Sequence, residues 1–315
     1  MIQTLTKFFR SRDTRKQYSL FQTCLYFLLF LLFCKTTNAS FTKDSNFNYH
    51  TLEIKLIEQP RIHLFVNHKN QKEEQKLSFV IDTGSNISII RENIFTQKGI
   101  QKKFHLKSIS GQVEKEFTEL KLNLFDEKKN LISENSNFHS LTLDSKFSFD
   151  GIIGNDILGK FDLFLELPDT IFLIKPNQNQ NYLANFKKIP FELLEGHIVL
   201  ESKLADIPCK FILDTGAGLS YLNQKKAKEL NLKIGGNASF IDLAGKLHET
   251  NYRIGENLCV DENICQKKID LLSGNSIENF LSEEGNLDGI LGLNWINKYS
   301  ILIDYKNKSL YIKQR

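Results

Sequence analysis

Metal-binding signatures are missing from this sequence. It has no CxxC pair and no HExxH motif, and its seven histidines are scattered. No metal centre is therefore legible, and no cofactor is expected. A strong charge of one sign is missing too. The net charge is only +4 over 315 residues, and much of it sits in Lys7, Arg10, Arg12, Arg15 and Lys16, which face only Asp13. The remainder is nearly balanced, which excludes a nucleic-acid footprint. Runs such as Lys72-Glu73-Glu74 and Glu127-Lys128-Lys129 mix or adjoin opposite signs and read as solvated loops or strand edges. Helical periodicity is also scarce. Asn223-Gln224-Lys225-Lys226-Ala227-Lys228-Glu229-Leu230 is one candidate helix, and the short stretches after Gly154 and Gly292 are others.

One long apolar run is present, Leu20 to Cys34, preceded by the basic cluster. It is shorter than the roughly 20 residues a membrane-spanning helix needs. Basic residues, a short apolar stretch and a polar tail with small residues have the form of a secretory signal. Thr37-Asn38-Ala39 before Ser40 suits cleavage. The alternative is a retained signal anchor over residues 20–34, which would hold the N-terminus inside. Residues 1–40 are thus a leader in either case. Both readings export the main body, to a periplasmic, secreted or cell-surface location, and membrane contact is expected only through that anchor.

Of five cysteines, Cys24 and Cys34 fall in the leader. An exported chain permits disulfides, and Cys259 and Cys265 are close enough to close a small loop. Cys209 is then odd and reads as a buried thiol.

The informative feature is a pattern written twice. Ser78-Phe79-Val80-Ile81-Asp82-Thr83-Gly84-Ser85 returns as Lys210-Phe211-Ile212-Leu213-Asp214-Thr215-Gly216-Ala217. Phe149-Asp150-Gly151-Ile152-Ile153-Gly154 returns as Leu287-Asp288-Gly289-Ile290-Leu291-Gly292. The tails Lys160–Leu167 and Lys298–Tyr305 follow in the same order. Asp82 precedes Gly154 by 72 positions and Asp214 precedes Gly292 by 78. Two homologous lobes follow, 49–175 and 189–315, joined by a polar linker at 176–188. Short apolar segments such as Ile62-His63-Leu64-Phe65-Val66 and Leu120-Lys121-Leu122-Asn123-Leu124 alternate with period two, as half-buried strands do. The expected fold is mainly β and bilobal, two duplicated β-barrel-like lobes with a cleft between them.

Two facing carboxyls that share one proton can serve as base and acid together. The ionised one takes a proton from water, and the protonated one donates to the carbonyl oxygen or leaving nitrogen. Two close carboxyls cannot both ionise cheaply, so repulsion raises one pKa. The apolar runs before Asp82 and Asp214 bury and stiffen the approaching strands. Gly84 and Gly216 permit a tight turn and let backbone N–H groups approach the carboxylate. Thr83 and Thr215 can hydrogen-bond to each other's loop.

The doubled Asp-Thr-Gly, each with its own apolar-apolar-Gly strand, resembles the retropepsin and pepsin clan of aspartic peptidases. Each half is similar to the small bacterial retropepsin-like domain. The resemblance implies catalytic roles for Asp82 and Asp214, interlocking roles for Thr83 and Thr215, and peptide or protein substrates bound extended in the cleft. With both Asp supplied internally, a single chain is expected to be active. Ser85 and Ala217 differ between the halves. A hydroxyl at Ser85 could donate to Asp82 and favour its ionisation, making Asp214 the proton holder. Turns at Ser110-Gly111-Gln112 and Ala244-Gly245-Lys246 are candidate flaps, although neither lobe has a clear counterpart of the pepsin-type flap tyrosine. Asn86-Ile87-Ser88 fits the glycosylation acceptor pattern, as do two other Asn-containing triplets, and all three read as chance matches. The competing functional reading is a non-catalytic peptide-binding or surface interaction protein on the same fold.

Overall fold

The structure, a computed structural model, describes residues 49–52, 54–56, 60–68, 73–95, 100–108, 111–167, 170–176, 183–242, 246–274, 278, 280–281 and 287–315. The leader at 1–40 and residues 177–182 of the expected linker lie outside the described residues.

The first half contains β1 (Tyr49–Leu52), β2 (Ile54–Leu56), β3 (Pro60–His68), β4 (Gln75–Ile81), β5 (Ile89–Arg91), β6 (Ile100–Ser108), β7 (Gly111–Phe125), β8 (Leu131–Leu141), β9 (Gly151–Ile153), α1 (Asn155–Leu158), β10 (Asp162–Glu166) and β11 (Thr170–Ile174). The second contains β12 (Lys187–Pro190), β13 (Glu192–Leu194), β14 (His197–Leu204), β15 (Ile207–Leu213), β16 (Ser220–Leu222), α2 (Gln224–Glu229), β17 (Ile234–Ile241), β18 (Leu247–Asp261), β19 (Ile264–Ser273), β20 (Gly289–Leu291), α3 (Leu293–Ile296), β21 (Tyr299–Asp304) and β22 (Ser309–Gln314). The period-two apolar pattern of Ile62–Val66 becomes the alternating burial of β3. The runs before each Asp are buried on both faces instead, because β4 and β15 lie inside their sheets. The candidate helix after the second Asp-Thr-Gly is α2, capped by the Asn223 side chain, which accepts from the Lys226 N–H.

The fold is mainly β. Each half forms an eight-stranded sheet, ordered β2-β3-β4-β9-β5-β8-β7-β6 in the first and β13-β14-β15-β20-β16-β19-β18-β17 in the second. Extra pairings of β3 with β7 and of β14 with β18 close six strands of each sheet on themselves, which gives the β-barrel-like lobes. A separate six-stranded sheet, β1-β11-β10-β21-β22-β12, joins the halves through the antiparallel β10–β21 pair. In it β1 and β12 hold equivalent outer places, and β12 begins at Lys187, inside the stretch read as linker. Apolar side chains from both lobes and this sheet form one buried cluster, with Trp295 and Phe211 among its fully buried members. Cys259 and Cys265 face each other across β18–β19 and are disulfide-bonded. Cys209 is a buried free thiol, and burial pushes its pKa up to about 11.

The β10–β21 register sets Asp162 opposite Asp304, and both are almost fully buried. Asp304 accepts from the backbone N–H and side-chain amide of Asn307. Burial, then the charge of Asp304, pushes Asp162 up to about 6, with Lys306 opposing. A carboxyl held above its unfolded value binds its proton more tightly in the folded state. Its stabilising contribution is complete below pH 3.8 and is lost as pH rises through about 6. Asp162→Asn should therefore stabilise the chain at pH 7.5 by about 1–3 kcal/mol and have little effect near pH 4, as read by denaturant unfolding at the two pH values.

Candidate active site

Asp82 leaves the end of β4 and Asp214 the end of β15. Each strand is clamped by its parallel neighbour, β9 or β20. The Asp82 N–H donates to Ile153 O at 3.1 Å and the Asp214 N–H to Leu291 O at 3.0 Å. Asp150 and Asp288, the acids of the second repeated motif, lock the same strand pairs. The Asp150 carboxylate accepts from the Ser78 N–H at 2.8 Å, and that of Asp288 from the Lys210 N–H at 2.9 Å. Gly154 and Gly292 cross directly beneath the loops; their N–H groups donate to the buried hydroxyls of Ser88 and Ser220. Those hydroxyls donate onward to Asp156 and Asn294.

The two loops interlock. The Thr83 N–H donates to Thr215 Oγ1 at 3.0 Å, and the Thr83 hydroxyl to Leu213 O at 2.8 Å. Reciprocally, the Thr215 N–H donates to Thr83 Oγ1 at 3.1 Å and the Thr215 hydroxyl to Ile81 O at 2.6 Å. Both threonines are fully buried. Each glycine of the motif packs against the carboxyl of the opposite loop. A Cβ on Gly84 would sit 2.3 Å from the Asp214 carboxyl carbon, and one on Gly216 would sit 2.6 Å from that of Asp82. The glycines thus make room for the opposite acid as well as for their own turn.

The two carboxyls lie close enough to act on each other's protonation. Burial, then the charge of Asp214, holds Asp82 well above the ordinary carboxyl range. Burial raises Asp214 as well, but the interaction with Asp82, the N–H groups of Gly216 and Ala217, and the charge of His197 all pull it back down. Asp214 Oδ1 accepts from Gly216 N at 2.7 Å and Ala217 N at 3.1 Å, and Asp82 Oδ1 accepts from Gly84 N at 2.9 Å, with the Ser85 N–H also lowering Asp82. Both carboxyls are raised, and one proton is shared by the pair. Titration belongs to the pair rather than to either residue alone.

The side-chain hydrogen bond on which the preference inferred from Ser85 rests is not made. The Ser85 hydroxyl donates to Ile87 O at 2.8 Å, two residues along its own loop, and gives Asp82 no side-chain donor. The local carbonyl wins because it lies within reach of the side chain without any change in the loop.

The hairpin β6–β7 pairs Ser108 with Gly111, so Gly111 opens β7, while Ser110 lies outside the described residues. Ala244 and Gly245 also lie outside them, but the flanks of that turn are described. Ile241 pairs with Leu247, and the Asp242 carboxylate contacts His248 Nε2 at 2.8 Å. Phe240 stacks on His248 and meets the Tyr221 ring edge to face at 5.3 Å. Burial, then the charge of Asp214, raises the Tyr221 phenol above its ordinary value, so this aromatic ladder reaches the dyad's surroundings. Asn86 is tied down as well, its amide donating to Glu195 O in the other lobe.

Asp150 and Asp288 were read as part of the repeat without a role, and the Ser88–Asp156 and Ser220–Asn294 pairs went unread in the sequence, yet they obey the same repeat. Asn155 and Tyr305 also went unread. The Tyr305 hydroxyl donates to Asn155 Oδ1 at 2.8 Å across the lobe boundary, and at these two positions the halves differ.

Residues 57–166 match the family model for retroviral aspartyl proteases. No curated protein matches the chain. The family match covers most of the first lobe, and the second repeats its strand order.

Two outcomes are expected from this geometry. Ser85→Ala should leave the titration of the dyad unmoved. Thr215→Val strands the Thr83 N–H and Ile81 O in the buried seam and should cost about 2–4 kcal/mol, read by chemical denaturation.

Proposed function

We propose that this chain, retropepsin-like in fold, is an aspartic endopeptidase in which Asp82 and Asp214 act as one acid–base pair on a peptide bond. The supporting observation is a pair of mutually interacting carboxyls, each packed against the opposite glycine, on interlocked loops. The ionised carboxyl takes a proton from a water molecule as that water attacks the peptide carbonyl. The protonated one donates its proton to the carbonyl oxygen, giving a neutral tetrahedral diol. The first, now protonated, passes its proton to the leaving nitrogen, the diol collapses to acid and amine, and the second recovers its proton. Only protons move between the two carboxyls, so the mechanism calls for no cofactor.

Substrate lies extended across the cleft, held by backbone hydrogen bonds and sorted by alternating side chains. The β17–β18 hairpin closes over it, and the aromatic ladder from Phe240 to Tyr221 anchors that hairpin beside Asp214. Apolar pockets are favoured, since Leu194, Ala217, Phe240 and Phe280 are partly buried against the small apolar cluster of the second lobe. Both acids come from one chain, so the monomer is the working unit. The secretory-type leader and the Cys259–Cys265 bond support export.

Asp82→Asn and Asp214→Asn should each lower kcat/KM on a fluorogenic peptide by about 10²–10⁴-fold. A pepstatin-type inhibitor should block the parent. The pH–rate profile should be bell-shaped, with an alkaline limb above the usual carboxyl range because burial and the neighbouring carboxyl raise the pair. Cleavage that survives either variant would reject the dyad and leave the peptide-binding alternative.

A further inference from the structure

The two halves match at nearly every position that shapes the catalytic loops, but not at Asn155. The position is Leu293 in the second lobe, where only the backbone contact is kept: Asn155 N–H donates to Ser85 O and Leu293 N–H to Ala217 O, both at 2.8 Å. The Asn155 side chain makes three further bonds. Its Nδ2 donates to Thr83 O at 2.7 Å and to Gly196 O at 3.0 Å, and its Oδ1 accepts from the Tyr305 hydroxyl at 2.8 Å. The two carbonyls fix which way the amide faces, since its oxygen could not face either of them. The Gly196 carbonyl belongs to a two-residue turn between β13 and β14, with Glu195 and Gly196 both at positive φ (48° and 86°). Tyr305 also diverges from its repeat partner, Leu167. Leu293 and Leu167 are both buried, so the mirror position is apolar at both ends.

Thr83 O and the Gly84 N–H belong to one peptide unit, and the Gly84 N–H donates to Asp82 Oδ1. A hydrogen bond accepted at a peptide oxygen strengthens the donor at the other end of that peptide. We propose that Asn155 is a positioning residue of the dyad: it relays polarisation from the Tyr305 hydroxyl through the Thr83–Gly84 peptide to Asp82, and ties that relay to the closed lobe seam through Gly196. The second loop has no such relay, because a leucine cannot donate to Thr215 O. The device is one-sided and acts on Asp82.

Burial raises the Tyr305 phenol, so its hydroxyl remains a donor. The relay favours ionised Asp82 and so limits the rise that burial and Asp214 impose. Besides Asp214 itself, the titratable groups around the dyad are His197 on β14 and Tyr221 on β16, both acting on Asp214. Asp156, beside Asn155, is engaged by Ser88. None of these groups replaces the Asn155 amide.

The test is a titration of isotope-labelled aspartate carboxyls by NMR in the full chain, assigned with Asp82→Asn, for the parent, Asn155→Leu and Tyr305→Phe. A pH–rate profile runs beside it; only that rate measurement rests on the peptidase reading. Asn155→Leu should move the upper transition of the pair higher by about 0.5–1 pH unit and carry the alkaline limb with it. The plateau kcat should fall about tenfold with KM within about twofold. Tyr305→Phe should shift the transition the same way, less than half as far. A residue that merely held the lobes together would lower stability and leave the transition in place. If both variants fold and the transition stays put or moves down, the relay is overturned. Should Asn155→Leu fail to fold, Tyr305→Phe decides alone. A parent that cleaves no peptide but shows the shift keeps the relay and removes the peptidase reading.

Discussion

A single proton shared by two close carboxyls is the constraint from which the rest of this structure follows. Two ionised acids in that position would repel at short range in a medium that screens poorly. The pair is tolerable only when one member is protonated and donates to the other, and that requires the loops to be held in fixed register. The buried threonines supply the register through four reciprocal hydrogen bonds. The glycines supply the space, since a Cβ on either one would collide with the opposite carboxyl. The β9 and β20 strands and their serine-bound glycines then stiffen each loop from below. Every part of the repeated motif serves contact between the halves as much as the shape of its own half.

The same logic recurs at the base of the molecule. The sheet joining the lobes sets Asp162 against Asp304 by strand register, and again one carboxyl is pushed toward its neutral form. At the other end of the same strand pair, the Ser300 hydroxyl donates to Glu166 at 2.6 Å. These ends are related by the repeat, with Ser300 in the place of Asp162 and Asp304 in that of Glu166. The second half has thus replaced one acid of the arrangement with a hydroxyl. A dimer of identical lobes must change both ends together, whereas one chain can change them separately.

Much of this was legible in the sequence, for identifiable reasons. The Asp-Thr-Gly loops and the strands with paired glycines are set by backbone geometry, so their residue choices are narrow and their repetition stands out. The β periodicity of β3 and β7 is visible because one face of each strand is buried. What was illegible had other causes. The direction of the Ser85 hydroxyl depends on a competing carbonyl two residues away, which composition does not reveal. The Asp162–Asp304 pair joins residues far apart in the chain and exists only through strand register. Asn155 and Tyr305 were missed because a search for repeats keeps what the halves share and passes over what they do not. The serine pairs beneath the loops do obey the repeat, six residues after each Asp, and a longer self-comparison would have found them.

The differences matter because a symmetric dyad would give its proton two equal homes. Acid and base roles would then be assigned by substrate alone. Here the two residues have different surroundings. The charge of His197 acts on Asp214 and lowers it. Burial and the charge of Asp214 raise Asp82. The Asn155 bond reaches only the Asp82 loop and works against that rise, so it does not choose the proton holder. It sets how firmly the proton is held. A general acid that never released its proton would be as useless as one that never kept it. The fold thus gives the two carboxyls of a duplicated motif different surroundings: His197 acts on Asp214, and the seam on the other side acts on Asp82.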